Sequence, residues 1–480
     1  MPLDSARLSS RVRDLLRGNP APTGARDEAR ALDERDAPEM RTRVVRLVPD
    51  DEVPIAAETS TGCVVIERHY GLDVRHGWAT VRDYGEATER HVSALAVLAA
   101  DPQAAGVAPP SRPGRFQWER RAQPTDERRL ARVPTSGPLL YFDLETTGLS
   151  GGVGTLAFLV GCGYFDSDGF HTRQYFLSGY EAEHDLLLSL ATLTERFSGL
   201  VSFNGRSFDV PLIDMRYAFH RLDSPFEAMP HFDMLHPARR LWRRRGTVGG
   251  GTPGDWTLTS PAAGGASCAL QSLEEAILGT GRVGDVPGAE IPGRYFAYLR
   301  TGDLEPLQAV FEHNRLDLLS LAALTAHAAR LAAEGPSALS TPHEALAMGQ
   351  VYERIDRADQ AEACYVRAAG LGDAPWAPGT VERDIRIDAL RRLAVMRRRQ
   401  RRHLDAASAW EAMLDCGADR TTVQEARRAL AIHHEHRTRD LESARQFAAR
   451  ALETEQDPER VLALRYRLDR LNRKARTSGE

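Results

Sequence analysis

The apolar run Leu139-Leu140-Tyr141-Phe142 passes without a break into Asp143-Leu144-Glu145-Thr146-Thr147-Gly148. The run reads as a buried strand, and a strand's period of two puts residues i and i+2 on one face. Asp143 and Glu145 therefore leave the sheet side by side. Two like charges in a packed domain raise each other's pKa unless a cation compensates, so the pair asks for a bound divalent metal. An acidic strand end turning into a glycine loop is the plainer alternative.

Two further segments bear on the choice. In Val201-Ser202-Phe203-Asn204-Gly205-Arg206-Ser207-Phe208-Asp209-Val210-Pro211 an apolar strand meets a turn and then a helix whose first turn accepts Pro211. Asp209 stands at that helix entrance. In Phe311-Glu312-His313-Asn314-Arg315-Leu316-Asp317, helical spacing puts His313 and Asp317 on one face, with Val310, Leu318 and Leu321 on another.

The order Asp-x-Glu, Asn-Gly-x-x-Phe-Asp, His-x-x-x-Asp resembles the DEDD 3′-to-5′ exonuclease superfamily of ribonuclease H-like folds. Gly148 to Thr155, His231-Phe232-Asp233-Met234-Leu235-His236-Pro237-Ala238-Arg239-Arg240, Asp285-Val286-Pro287-Gly288-Ala289-Glu290-Ile291-Pro292 and His313-Asn314 look like the bacterial YprB-like exonuclease-domain family. The resemblance implies that Asp143, Glu145, Asp209 and Asp317 hold two Mg²⁺ or Mn²⁺ ions. Asp143 would bridge both, Glu145 and Asp317 would complete the nucleophile-side ion, and Asp209 would serve the other. Hard cations prefer oxygen ligands, and a pair about 3.5–4 Å apart can stabilise the attacking and leaving oxygens of a phosphodiester. His313 would take a proton from the attacking water, its unperturbed pKa of about 6.5 lying near operating pH. One DEDD branch has Tyr four residues before the last Asp and another has His five before it; this chain has His at four.

Thr146, Thr147 and Asn204 are expected to position a terminal nucleotide. Arg239, Arg240, Arg243, Arg244 and Arg245 surround Trp242, an arrangement that can grip phosphates while the indole stacks on a base; a solvated arginine helix is the alternative. The seven arginines between Arg391 and Arg402 form another candidate phosphate track. Asp233 could join the acidic cluster, but the resemblance places it on the scaffold near the site, with His231 and His236; His433, His434 and His436 read as a polar helix surface.

Composition narrows the classes. Lys474 is the single lysine, which excludes a Walker A loop, a protein kinase and a Schiff-base enzyme. A net charge of -5 argues against a protein that coats nucleic acid indiscriminately, so such contact must be local. Five scattered cysteines suggest neither a zinc knuckle nor a disulfide framework, and with no apolar leader or membrane-length run expected, a cytoplasmic protein fits.

Along the chain we expect a disordered amino terminus (1–40), a small β-rich region of unassigned role (41–100), a linker (101–136), an α/β ribonuclease H-like domain with a mixed sheet flanked by helices (137–332), and an all-α tetratricopeptide-like helical repeat (341–475). A glycine-rich loop is expected over 246–266. The repeat reading rests on Ala361-x3-Tyr365, Ala406-x3-Trp410 and Ser443-x3-Phe447. The expected function is a divalent-metal-dependent 3′-5′ exonuclease acting on DNA or RNA with a free 3′ end, with a protein partner possible through the repeats and no membrane contact. The alternatives are a catalytically silent nucleic-acid-binding adaptor and a structure-specific endonuclease using the same ions.

Overall fold

β-branched, aromatic and leucine-rich runs separated by glycine turns build one central sheet. The computed structural model describes residues 41–46, 63–99, 133–148, 154–243, 268–372, 374 and 382–477, in two compact units, Met1–Ala333 and Glu334–Glu480. The expected disordered terminus, most of the expected linker, the glycine-rich loop and Leu149 to Val153 lie outside the described residues.

The first unit holds strands β1 (Arg41–Arg46), β2 (Val64–Gly71), β3 (Arg75–His76) and β4 (Ala79–Thr80), then helices α1 (Val81–His91) and α2 (Leu95–Ala99). β5 (Leu139–Thr146), β6 (Ala157–Phe165) and β7 (Gly169–Phe176) follow. Next come α3 (Glu183–Thr194), β8 (Gly199–Ser202), α4 (Asp209–Phe219), β9 (His231–Asp233) and α5 (Leu235–Leu241). The unit closes with α6 (Leu270–Leu273), α7 (Ile291–Thr301) and the long α8 (Glu305–Glu334).

The sheet order is β1-β2-β7-β6-β5-β8-β9, with β5, β8 and β9 parallel and the other pairs antiparallel. It is therefore the mixed, helix-flanked sheet expected for 137–332. The segment 41–100, expected as a region apart, instead lengthens this sheet: β2 pairs with β7 from Val64↔Phe176 to Gly71↔Gly169. Unpaired edges of sheets seek partners, and β2 and β1 satisfy that of β7. Side chains fasten the addition, since Arg68 bonds Glu312 of α8, His76 bonds Ser320, and Thr88 meets Tyr141.

One face of β5, carrying Leu140, Phe142 and Leu144, enters the main core with Leu186, Leu187, Leu190 and Tyr217 of α3 and α4. Alternation turns Asp143 and Glu145 to the other face, which α8 covers. The close approach of α8 depends on glycine. Gly161 of β6 sits directly opposite Asp143, and a Cβ there would lie 2.3 Å from Asn314 Oδ1. Gly163 is similarly filled by Phe170 and Leu318. Glycines at i and i+2 on the strand thus match Asn314 and Leu318 at i and i+4 on the helix. Gly161→Ala is expected to cost about 1–3 kcal/mol, as overpacked cores do, and to lower the melting temperature measurably; an unchanged melt would mean that α8 yields freely.

Helix α8 is also long and apolar enough, by length and composition, to cross a membrane, contrary to expectation. Its most apolar window is 78% buried within the fold, as befits an alanine-rich core helix.

The second unit is all helical: α9 (Pro342–Arg354), α10 (Ala358–Ala368), α11 (Arg383–Arg399), α12 (His403–Leu414), α13 (Arg420–His433), α14 (Leu441–Thr454) and α15 (Pro458–Thr477). Helices pair α9 with α10, α11 with α12 and α13 with α14, each pair meeting the next, in a tetratricopeptide-like array. Ala361 with Tyr365 and Ala406 with Trp410 are buried as the spacing predicts, and Gly349 leaves room for the Tyr365 ring. In the third pair Ala444, Ala448 and Ala451 are fully buried, while the expected Ser443 and Phe447 are half-buried, Phe447 packing on that core and stacking on His434.

Candidate functional site

Strand β5 delivers Asp143 and Glu145 to one side of the sheet, and a register shift after Glu145 re-aims the strand's end. Asp209 opens α4, immediately after the β8 turn. One turn of α8 supplies His313 and Asp317. The Glu145, His313 and Asp317 donor atoms all lie within 4.8 Å of one another. Asp143 joins them through Asn314, whose Nδ2 donates to Asp143 Oδ2 at 2.8 Å. Gln174 Nε2 in turn donates to Asn314 Oδ1 and to the Phe311 carbonyl, both at 2.8 Å. A polar row from Gln174 through Asn314 thus fixes the Asp143 carboxylate.

His313 is held from behind. Its Nδ1 lies 2.7 Å from Asp285 Oδ1, leaving Nε2 facing Asp317 Oδ2 at 3.5 Å and Glu145 Oε1 at 3.9 Å. Arg282 organises the rear: it bonds Asp317 Oδ1 and Glu274, and reaches Asp285 Oδ2 at 3.1 Å. Asp317 therefore spends one oxygen on Arg282 and turns the other toward the cluster.

The electrostatics are those of a site short of positive charge. Burial, then the charges of Asp317, Glu145 and Asp209, raise the Asp143 carboxyl well above its ordinary range, against the Asn314 bond. Burial, then Asp317, Asp209 and Asp285, do the same to Glu145, with Arg282 opposing. Burial and then Asp233 push Asp209 up to about 7. Asp285 differs: burial works against its charge, yet the bond and charge of His313 and the Arg282 guanidinium hold it below the usual carboxylate range. Carboxylates this short of compensating charge could hold a divalent cation.

Other expected site residues fare differently. The Thr146 hydroxyl donates to the Gly148 carbonyl at 2.9 Å and the Thr147 hydroxyl accepts from Leu156 N at 2.9 Å, so both staple the turn after β5. Asn204 is exposed at the β8–α4 turn with φ 69°, and its backbone N–H donates to Asp233 Oδ1 at 2.8 Å. Asp233 also accepts from Arg206 N and Leu235 N, which makes it the anchor of that turn. Trp242 cannot stack on a base as expected: it is 5% exposed and lies flat against His327. Arg240 is likewise turned inward, donating to the Leu98 carbonyl at 2.8 Å, while Arg239 is exposed. Arg244 and Arg245 lie outside the described residues. In the second unit, Arg391, Arg392, Arg397 and Arg402 pair with carboxylates of the array, so much of that run is internal ion pairing.

Residues 140–329 match the family described as RNase_H superfamily. That segment is a ribonuclease H-like region. It is also 28% identical, over 346 residues, to the Bacillus subtilis (strain 168) protein called "Uncharacterized protein YprB". That alignment covers 70% of this chain and 75% of the relative. The ribonuclease H-like region is nuclease-like and carries a cluster that could hold a divalent cation. Sequence reasoning did not assign Asn314, Gln174, Asp285 or Arg282 to it. Asn314 beside His313 and the Gly161/Gly163 alternation on β6 were the available signals.

Proposed function

We propose that the ribonuclease H domain hydrolyses phosphodiester bonds of nucleic acid from a free 3′ end, using two divalent cations. The observation that carries this reading is the convergence of Glu145, His313 and Asp317 beside an Asn314-anchored Asp143, with Asp209 acting electrostatically on the same carboxylates. Asp143, Glu145, Asp209 and Asp317 would hold the ions, which when bound stabilise charge on the attacking and leaving oxygens. His313 accepts the proton of the attacking water at Nε2, and Asp285 orients the ring through Nδ1. Among the described residues, exposed Arg239 and Asn204 would meet the strand, by charge and by hydrogen bond respectively. A local contact of this kind suits a chain of net charge -5.

End-labelled DNA and RNA oligonucleotides incubated with Mg²⁺, Mn²⁺ or chelator test the reading. A metal-dependent ladder from the 3′ end is the expected result. Internal cuts would transfer the assignment to an endonuclease, and binding without cleavage under any metal would make the module an adaptor. His313→Gln is expected to lower the rate by about 10²–10⁴-fold and to flatten the rise of rate with pH on the acid side. A pH profile of unchanged shape in that variant would remove His313 from the proton-transfer role.

A further inference from the structure

A second group of ligand-type side chains lies at the opposite side of the sheet's register, where β2 meets the β6–β7 hairpin. His69 of β2 stands directly across from His171 of β7, and their ring centroids are 4.5 Å apart. The turn between β6 and β7 returns Asp168 over this pair. Asp166 shapes that turn, its Oδ1 accepting from Asp168 N at 3.1 Å and Gly169 N at 3.2 Å. Gly169 is required there, because a Cβ would strike the Tyr70 carbonyl and come within 2.8 Å of His69 Nε2. Tyr164 stacks on His171 at 5.2 Å and steadies its ring.

We propose that His69, His171 and Asp168, with Asp166 beside them, form a binding site for a borderline divalent cation of the Zn²⁺ class. Donor atoms of the first three residues all lie within 4.8 Å of one another. Around a tetrahedral ion with ligand bonds of about 2.0–2.2 Å, neighbouring donors stand roughly 3.3–3.6 Å apart. His69 Nε2 is 3.7 Å from Asp168 Oδ2, His171 Nε2 is 3.3 Å from Asp168 Oδ1, and His171 Nε2 is 2.7 Å from Asp166 Oδ2. His69 Nε2 also lies 3.1 Å from the Asp168 carbonyl, so ion binding would exchange this contact and those to the carboxylates for metal bonds. Two imidazoles with one or two carboxylates select Zn²⁺-type ions over Mg²⁺, which prefers an all-oxygen shell. All the ligands are partly exposed, so an ion can enter from solvent. A bound ion would clip β2, and with it the amino-terminal extension of the sheet, to the hairpin.

The test is equilibrium dialysis of the full chain, stripped with chelator, against ⁶⁵Zn²⁺ in excess Mg²⁺. One Zn²⁺ equivalent is expected to disappear in His69→Ala/His171→Ala and to persist in Asp143→Asn, which separates this site from the carboxylate cluster. Asp168→Asn, at an exposed turn position that does not threaten folding, is expected to weaken Zn²⁺ binding about tenfold or more. Zn²⁺ is expected to raise the melting temperature of the unaltered chain and not of the double variant. The same number of Zn²⁺ equivalents and the same affinity in Asp168→Asn as in the unaltered chain would overturn the proposal, whatever becomes of the double variant.

Discussion

Asp143→Asn is expected to reduce phosphodiester hydrolysis by about 10³-fold while leaving the metal-free chain at least as stable as before. The two halves of this result have one cause. Asp143 sits among Glu145, Asp209 and Asp317, and burial with those three charges makes its ionised form expensive in the absence of a cation. An amide removes the charge yet can still present an oxygen to the Asn314 donor, so the bond that now measures 2.8 Å survives. The loss falls on catalysis instead, where an ion held by fewer charges stabilises the transition state less. A deficit of about 4 kcal/mol corresponds to a factor of about 10³ in rate. Single-turnover cleavage and thermal melts in chelator read the two halves separately. Cleavage within about tenfold of the unaltered chain would sink the assignment of Asp143 as a metal ligand. A large drop in melting temperature would instead mean that Asp143 is a structural group.

The positions of the carboxylates were legible because they sit at places that local sequence marks: a strand end for Asp143 and Glu145, a helix entrance for Asp209, a helix face for Asp317. Their positions follow from periods of two and 3.6 without knowledge of the packing. The supporting residues obey no such rule. Asn314 matters because Gly161, about 150 residues earlier, lacks a side chain in the row between Asp143 and Gln174, and only the strand register discloses that. Arg282 and Asp285 come from a stretch with little regular structure, so no periodicity points them inward. Trp242 failed for a different reason. An aromatic among arginines reads as an exposed stacking platform, but α5 is short and its end turns the indole onto His327. The strands of 41–100 were legible as strands; their destination was not, because an antiparallel pairing between β2 and β7 is a contact across a hundred residues that alternation alone cannot specify. In the helical array the pattern of small residue and aromatic held, although in the third pair Ser443 and Phe447 are half-buried beside the fully buried Ala444 and Ala448.

The carboxylate cluster also makes the stability of the metal-free chain depend on pH in a defined direction. Burial and Asp233 push Asp209 up to about 7, whereas an Asp in the unfolded chain titrates near about 3.9. A group whose folded pKa is raised binds its proton more tightly in the native state. Its contribution is therefore fully present below the unfolded value and is lost as pH rises through the folded one. A difference of about 3 units corresponds to roughly 4 kcal/mol as a ceiling. Asp143 and Glu145 shift the same way, so the three act together. In Asp209→Asn the position no longer titrates. With chelator present, the unfolding free energy of this variant is expected to pull ahead of the unaltered chain between about pH 4 and 7, and to hold a constant lead above that. Mg²⁺ or Mn²⁺ should close the gap from the other side, because cation and proton compete for the same oxygens and the cation wins at high pH. Denaturant titrations of both chains across this range, with and without the ion, measure the two effects. A lead that stays flat with pH would mean that Asp209 is already ionised at pH 5. The site would then have to hold its charge by hydrogen bonds and Arg282, and it would have no electrostatic reason to attract a second cation.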